Sequence, residues 1–194
     1  MDCDPDGQHG AVPPEQRLNM FALVVYIPGP LGRFLDDLRR ELTPPCNPHA
    51  HVSVLPPRPL NVDWLTASAD ARAVLEACPP FDVELTEAYK FDGTDVIYLG
   101  VGAGASELRR LHSDMCDGAL SFEEPFAYCP HVTVAQEIPH DRVGEVEEIA
   151  RRRWREFRGE RRFRVEQAVF VQNAVPNRWI DLAVYELGGV AAKS

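Results

Sequence analysis

No stretch of this sequence stays apolar for long enough to cross a bilayer. Its longest apolar runs, such as "MFALVVYI" at residues 20–27, fall far short of the roughly 20 residues that a spanning helix needs. The N-terminus lacks a basic segment followed by an apolar one, so no secretory signal is read there. A cytoplasmic protein with no membrane partner is the expectation. Paired cysteines are missing too. The five cysteines (Cys3, Cys46, Cys78, Cys116 and Cys129) are odd in number and none has CxxC spacing, which excludes a disulfide framework or a zinc knuckle. Positive charge is in deficit. A formal net charge of −10 argues against a protein that coats long nucleic acid by charge alone. It leaves room for a small anionic substrate in a local pocket. One basic stretch stands out, "RRRWREFRGERRFR" at residues 151–164, and Glu147 and Glu148 precede its first two arginines by four residues each. That is helical ion-pair spacing, so the stretch reads as a solvated helix end rather than an RNA-contacting patch.

What is present is a phrase written twice. His51-Val52-Ser53-Val54 returns as His131-Val132-Thr133-Val134. The elements around the two copies also repeat. In the first half, apolar patterning predicts a strand at 20–27, a helix at 31–42, the motif strand at 49–55, a helix capped by Asp63 and running to 77, and a strand at 81–91. In the second, it predicts a strand at 96–101, a helix at 107–120, the motif strand at 127–136, a helix at 139–157, and strands at 163–175 and 179–187. The 81–91 and 96–101 strands are read as a hairpin. "GVGAGAS", at 100–106, is a tight strand-to-helix turn on this reading; without a clean third glycine it is weak as a dinucleotide loop. The expected fold class is α+β with an α/β-type repeat: two βαβ-containing lobes, related by a pseudo-two-fold axis, setting their motif strands side by side at a central cleft. Residues 1–18 are expected to be a mobile tail, 19–187 one bilobal domain, and 188–194 a C-terminal tail.

On a strand, alternate side chains share a face. His51 and Ser53 therefore point one way and Val52 and Val54 the other; His131 and Thr133 separate in the same way from Val132 and Val134. Two such strands at one cleft would offer two imidazoles and two hydroxyls. That set suits in-line phosphoryl chemistry. A neutral imidazole takes a proton from water, a protonated one gives a proton to the leaving alkoxide, and the hydroxyls donate to the non-bridging oxygens that gain charge. No metal or other cofactor is called for. The rival readings are a metal held by His49 and His51, which lacks a nearby carboxylate ligand, and a Cys129 nucleophile, which has no counterpart in the first copy. His9, His112 and His140 carry no motif and read as surface residues.

The paired "HVSV" and "HVTV" in a duplicated chain resemble the two-histidine (2H) phosphoesterase superfamily, and most of all its bacterial 2′,5′ RNA ligase/cyclic phosphodiesterase-like members. The resemblance covers about residues 20–187. It implies a bilobal fold, metal-free hydrolysis of a 2′,3′-cyclic phosphate on a nucleotide or RNA end to a 2′-phosphate, and in some members reversible 2′,5′ RNA joining. It implies His51 and His131 as acid and base, and Ser53 and Thr133 as phosphate binders. A basic residue often follows the second motif in the family; here that neighbourhood holds Gln136. Arg58 is either the substitute cation or a plain surface-loop arginine. Tyr26 either stacks a base or belongs to the core. A monomer is expected. A nucleotide-binding module without turnover, or an RNA end-joining activity, is the alternative function.

Overall fold

The computed structural model describes residues 12–43, 49–175 and 178–189; the readings of Cys3, His9 and Cys46 fall outside them. The chain opens with β1 (Arg17–Tyr26), where Phe21 to Val25 are all buried. Five consecutive buried residues mean that both faces of the strand are covered. Phe21, Leu23 and Val25 enter the main core, while Ala22 and Val24 join Val169, Val171 and Tyr26 in a second small cluster on the opposite face. "PGP" then stops the strand and opens α1 (Gly29–Leu42), whose Leu31, Leu35, Leu38 and Leu42 form its buried stripe. The first motif starts β2 (His51–Arg58). Asp63 caps α2 (Trp64–Ala77) by accepting from the backbone N–H groups of Leu65 and Thr66. β3 (Phe81–Lys90) and β4 (Ile97–Val101) form the expected hairpin. Gly104, at φ +84°, begins α3 (Ala105–Met115). A Cβ there would lie 2.4 Å from the Asp82 carbonyl oxygen, so the glycine-rich stretch is a turn pressed against β3. The second motif is β5 (His131–Ala135), followed by α4 (Val143–Glu156), β6 (Arg162–Val165), β7 (Gln167–Ala174) and β8 (Arg178–Glu186).

Two four-stranded sheets result, ordered β2-β1-β7-β8 and β5-β4-β3-β6. The two orders map onto each other, which is the pseudo-two-fold symmetry. Every neighbouring pair among the described residues is antiparallel. The strand–helix–strand units are therefore not parallel crossovers: Tyr26, last in β1, pairs with His51, first in β2. Helix and connection leave the sheet and return to the edge they left. The third strand of each sheet is exchanged. β3, from the first half, completes the sheet of β4 and β5, while β7 returns to pair with β1. The halves of the sequence are thus not the lobes of the fold.

Three expected boundaries need correction. The strand expected at 163–175 is two strands in different sheets, β6 on β3 and β7 on β1; the chain changes sheets at Glu166 and Gln167, two adjacent exposed polar residues that interrupt the alternation. The helix expected to reach 120 stops at Met115, and a separate 3₁₀ turn at Gly118–Leu120 follows Asp117. Part of the expected N-terminal tail is built into the fold. Val12 is buried, Arg17 Nε donates to its carbonyl at 3.1 Å, and β1 already begins at Arg17.

The basic stretch after residue 150 is largely paired. Arg151 meets Glu147 at 2.7 Å, Arg153 meets Glu41 at 2.9 Å, Arg162 meets Glu84 at 2.8 Å, and Arg161 covers the Trp154 ring at 4.4 Å. No helix among the described residues is long and apolar enough to cross a membrane.

Candidate functional site

β2 and β5 are edge strands, one in each sheet, and these two edges pack beside each other. The helices exchange partners across the join: α1 packs against β5, and α3 against β2. The two motifs show the same burial alternation. Val52, Val54, Val132 and Val134 are fully buried, while His51, Ser53, His131 and Thr133 are half-buried. Residues paired across antiparallel strands share a face. Tyr26 and Val24 therefore lie on the face of His51 and Ser53, and Tyr98 and Gly100 on that of Thr133 and His131.

The two imidazoles are held alike. His51 Nδ1 lies 2.7 Å from the carbonyl oxygen of His49, and His131 Nδ1 lies 2.7 Å from that of Cys129. A carbonyl only accepts, so Nδ1 carries the proton in each ring. Each Nε2 keeps its lone pair in the neutral ring. Burial is the main cause that lowers both histidines below their ordinary pKa, and the carbonyl contact opposes it in each. His51 is pushed down to about 4, with further lowering by the charges of Arg39, His49 and His131. Both rings are therefore neutral at pH 7. Ala50, just before the first motif, is pinned from two sides. Its N–H donates to Asp36 Oδ1 of α1 at 2.7 Å, and its carbonyl accepts from Ile27 at 2.9 Å.

Aromatic rings flank each histidine. Tyr26 stacks on His49 with centroids 3.5 Å apart and meets His51 edge-on at 6.4 Å. Phe91 and Tyr98 stack at 3.9 Å, and both present edges to His131, at 4.9 and 5.4 Å. Tyr26 is thus neither simple core nor a free platform. His49 covers one face of its ring, and its hydroxyl donates to Asp181 at 2.7 Å, which together with burial raises its pKa.

Both readings of Arg58 are overturned. It is 2% exposed, so it is not a surface-loop arginine, and its donors are occupied, so it is not the substrate cation. Nε donates to Pro56 O, Nη1 to Leu120 O at 3.1 Å, and Nη2 pairs with Glu124. β2 runs on through "PPR" and carries the guanidinium inward. His112 is likewise buried, not superficial. Its ring stacks on Tyr128 at 3.9 Å, and its Nδ1 meets the Val54 carbonyl at 2.8 Å while the Tyr128 hydroxyl donates to the Ser53 carbonyl at 2.8 Å. This pair braces the backbone of the first motif from behind. Gln136 is exposed, one residue past the end of β5. His140 is exposed as expected, beside Asp95. Cys129 is exposed and serves His131 through its backbone carbonyl.

His112, Cys116 and Glu124 are the one group among the described residues with three side chains placed to share a metal ion. Arg58 already pairs with Glu124 there and lies 3.8 Å from the Cys116 sulfur, so a dication would have to share the space with a buried guanidinium. Sequence reasoning missed this cluster, and also Arg39, Phe91 and Tyr98. None lies in a motif, and only the tertiary fold brings Cys116 and Glu124 to Arg58.

The profile of the 2′-5′ RNA ligase superfamily matches residues 27–176. A Geobacillus kaustophilus protein named "Putative phosphoesterase" is 23% identical over 135 residues, 65% of this chain and 74% of that protein. An Oceanobacillus iheyensis protein of the same name is 23% identical over 112 residues, 57% of this chain and 62% of its own length. Escherichia coli LigT complexed with 3′-AMP shares the fold at a TM-score of 0.62 and 15% identity, covering 89% of this chain and 98% of LigT. With one antiparallel lobe to each motif and a profile match over most of its length, the chain belongs to the 2′-5′ RNA ligase superfamily, the two-histidine phosphoesterases.

Proposed function

We propose that this protein hydrolyses the 2′,3′-cyclic phosphate of a nucleotide or RNA end to a 2′-phosphate, with His51 and His131 as the acid–base pair. The observation that carries the reading is the matched tether of the two rings. In both, Nδ1–H is committed to the carbonyl two residues earlier, which leaves Nε2 for proton transfer. One neutral Nε2 removes a proton from water as its oxygen attacks phosphorus. The P–O3′ bond breaks, and the protonated partner gives its proton to O3′, leaving phosphate on O2′. Ser53 and Thr133 donate to the non-bridging oxygens. His51, held down at about 4, is unprotonated at neutral pH in the empty site and so is free to take the proton as base. His131 is the acid; an incoming anionic phosphate offsets the burial that lowers it. Structures of LigT with 3′-AMP and NADP+ support a nucleotide as the substrate class.

The test is incubation with a panel of 2′,3′-cyclic nucleotides in excess EDTA, reading the product by ³¹P NMR. The expected product is the 2′-monophosphate, with rates unchanged by chelation. Tight binding without turnover would instead leave a nucleotide-binding module. Activity lost in EDTA and restored by zinc would move the chemistry to a metal.

A further inference from the structure

Among the described residues, neither motif's own neighbourhood offers a free cation for a phosphate. Gln136 is neutral and Arg58 is spent on Glu124, so the second motif's neighbourhood supplies none. Helix α1 supplies one instead. Its Asp36 accepts the Ala50 N–H at 2.7 Å, which turns that side of the helix toward the start of β2, one residue before His51. Arg39 lies three residues on and so on the same side of the helix. Arg39 is half-buried, and its Nε is buried with no hydrogen-bond partner among the described residues. Buried donors are nearly always satisfied, so an unmatched one points to an acceptor that arrives from outside. Its neighbour Arg40 is exposed and already engaged with Asp37 at 2.7 Å. The charge of Arg39 is also close enough to His51 to help lower its pKa.

We propose that Arg39 is the phosphate clamp of this cleft, its guanidinium fork taking the non-bridging oxygens of the anion that lies between the two histidines. The proposal rests on reading the cleft as a phosphate site. A planar guanidinium matches phosphate by two parallel hydrogen bonds, which an ammonium cannot reproduce. Binding would satisfy the buried Nε. It would also set a negative charge against the cation that helps lower His51, which would raise that ring toward the range where a general base works best.

The experiment is isothermal titration of the full chain with inorganic phosphate and with adenosine 2′-monophosphate. Wild type, R39Q, R39K and R40Q are compared, with thermal unfolding as the check on folding. R39Q should weaken both ligands by about 10- to 100-fold, the usual worth of a hydrogen bond to a charged group. R39K should fall between, and R40Q should match wild type. If R39Q proves unstable, a loss of more than about threefold in R39K at wild-type melting temperature carries the same conclusion, since only the fork has been removed. Wild-type affinity in R39Q or R39K overturns the clamp and leaves the phosphate cleft intact. If wild type binds neither ligand, the cleft reading falls, and the clamp with it.

Discussion

His51 and His131 share a motif and a tether, yet burial and charge treat them unequally. His51, lowered to about 4 from 6.5, ties stability to pH. In the unfolded chain it takes up a proton as pH falls through 6.5; in the fold it resists until about 4. The unfolded state therefore binds more protons across that window, and stability must fall as pH falls through it. We expect the melting temperature to drop between pH 6.5 and 4 by this contribution, and His51→Gln to flatten that part of the profile. A mutant slope identical to wild type would remove the depressed histidine from the account. For activity, His51→Ala or His131→Ala should each lower kcat by roughly 10²–10⁴. The double variant should lose much less than the product of the two, because the pair acts as a unit. The pH–rate profile should be bell-shaped, with pKa values that belong to the coupled pair.

Elements are where the unassigned polar residues find their work. β2 carries the first motif at one end and Arg58 at the other, so one strand joins the cleft to the buried cluster of Glu124, His112 and Tyr128. Removing one member of a buried ion pair strands the other charge, at a cost of about 3–5 kcal/mol. Arg58→Ala should therefore lower stability by about that amount in denaturant titration and leave KM nearly unchanged in whatever fraction stays folded. A large rise in KM at wild-type stability would return Arg58 to the substrate. The helices show the same division between pattern and context. The spacing of Leu31, Leu35, Leu38 and Leu42 marks the face of α1 that is buried, but not that this face meets the motif strand of the other lobe. That pairing depends on contacts between residues about ninety positions apart, which periodicity does not encode.

At the scale of the whole molecule, exchange of β3 and β7 makes the lobes interdependent. Each sheet draws strands from both halves of the chain, and one continuous core runs through both. A fragment ending in the turn after β3 would keep β1 and β2 but lose β7 from their sheet, exposing Leu23 and Phe21 on an unpaired edge. We expect residues 1–94 and 95–194, expressed separately, to show no cooperative unfolding, and the intact chain to unfold in one transition. A first half that melts cooperatively alone would show that the lobes are autonomous and the exchange incidental. The acidic surplus belongs to this scale as well. Within the 151–164 stretch, Arg151, Arg153, Arg162 and Arg164 pair with Glu147, Glu41, Glu84 and Asp82, while Arg152, Arg155 and Arg158 are exposed.

The sequence by itself determined the facing of the two motifs. A period-two pattern leaves a strand only one way to bury Val52 and Val54, and that choice sends His51 and Ser53 to the other face; the second copy repeats the logic. It also determined most elements and the cap at Asp63, because caps and periodicities are local. Tertiary structure decided everything that depends on which elements meet. It decided that "FRVEQAVFV" is divided between two sheets, since the adjacent polar Glu166 and Gln167 interrupt the pattern without saying which strand each side will pair with. It decided that Arg58 is buried and that Arg39 Nε has no partner among the described residues, since a guanidinium's role is set by acceptors far away in sequence. It also decided the inequality of the two histidines, because desolvation and neighbouring charge are properties of the packed site and not of the four-residue phrase in which each is written.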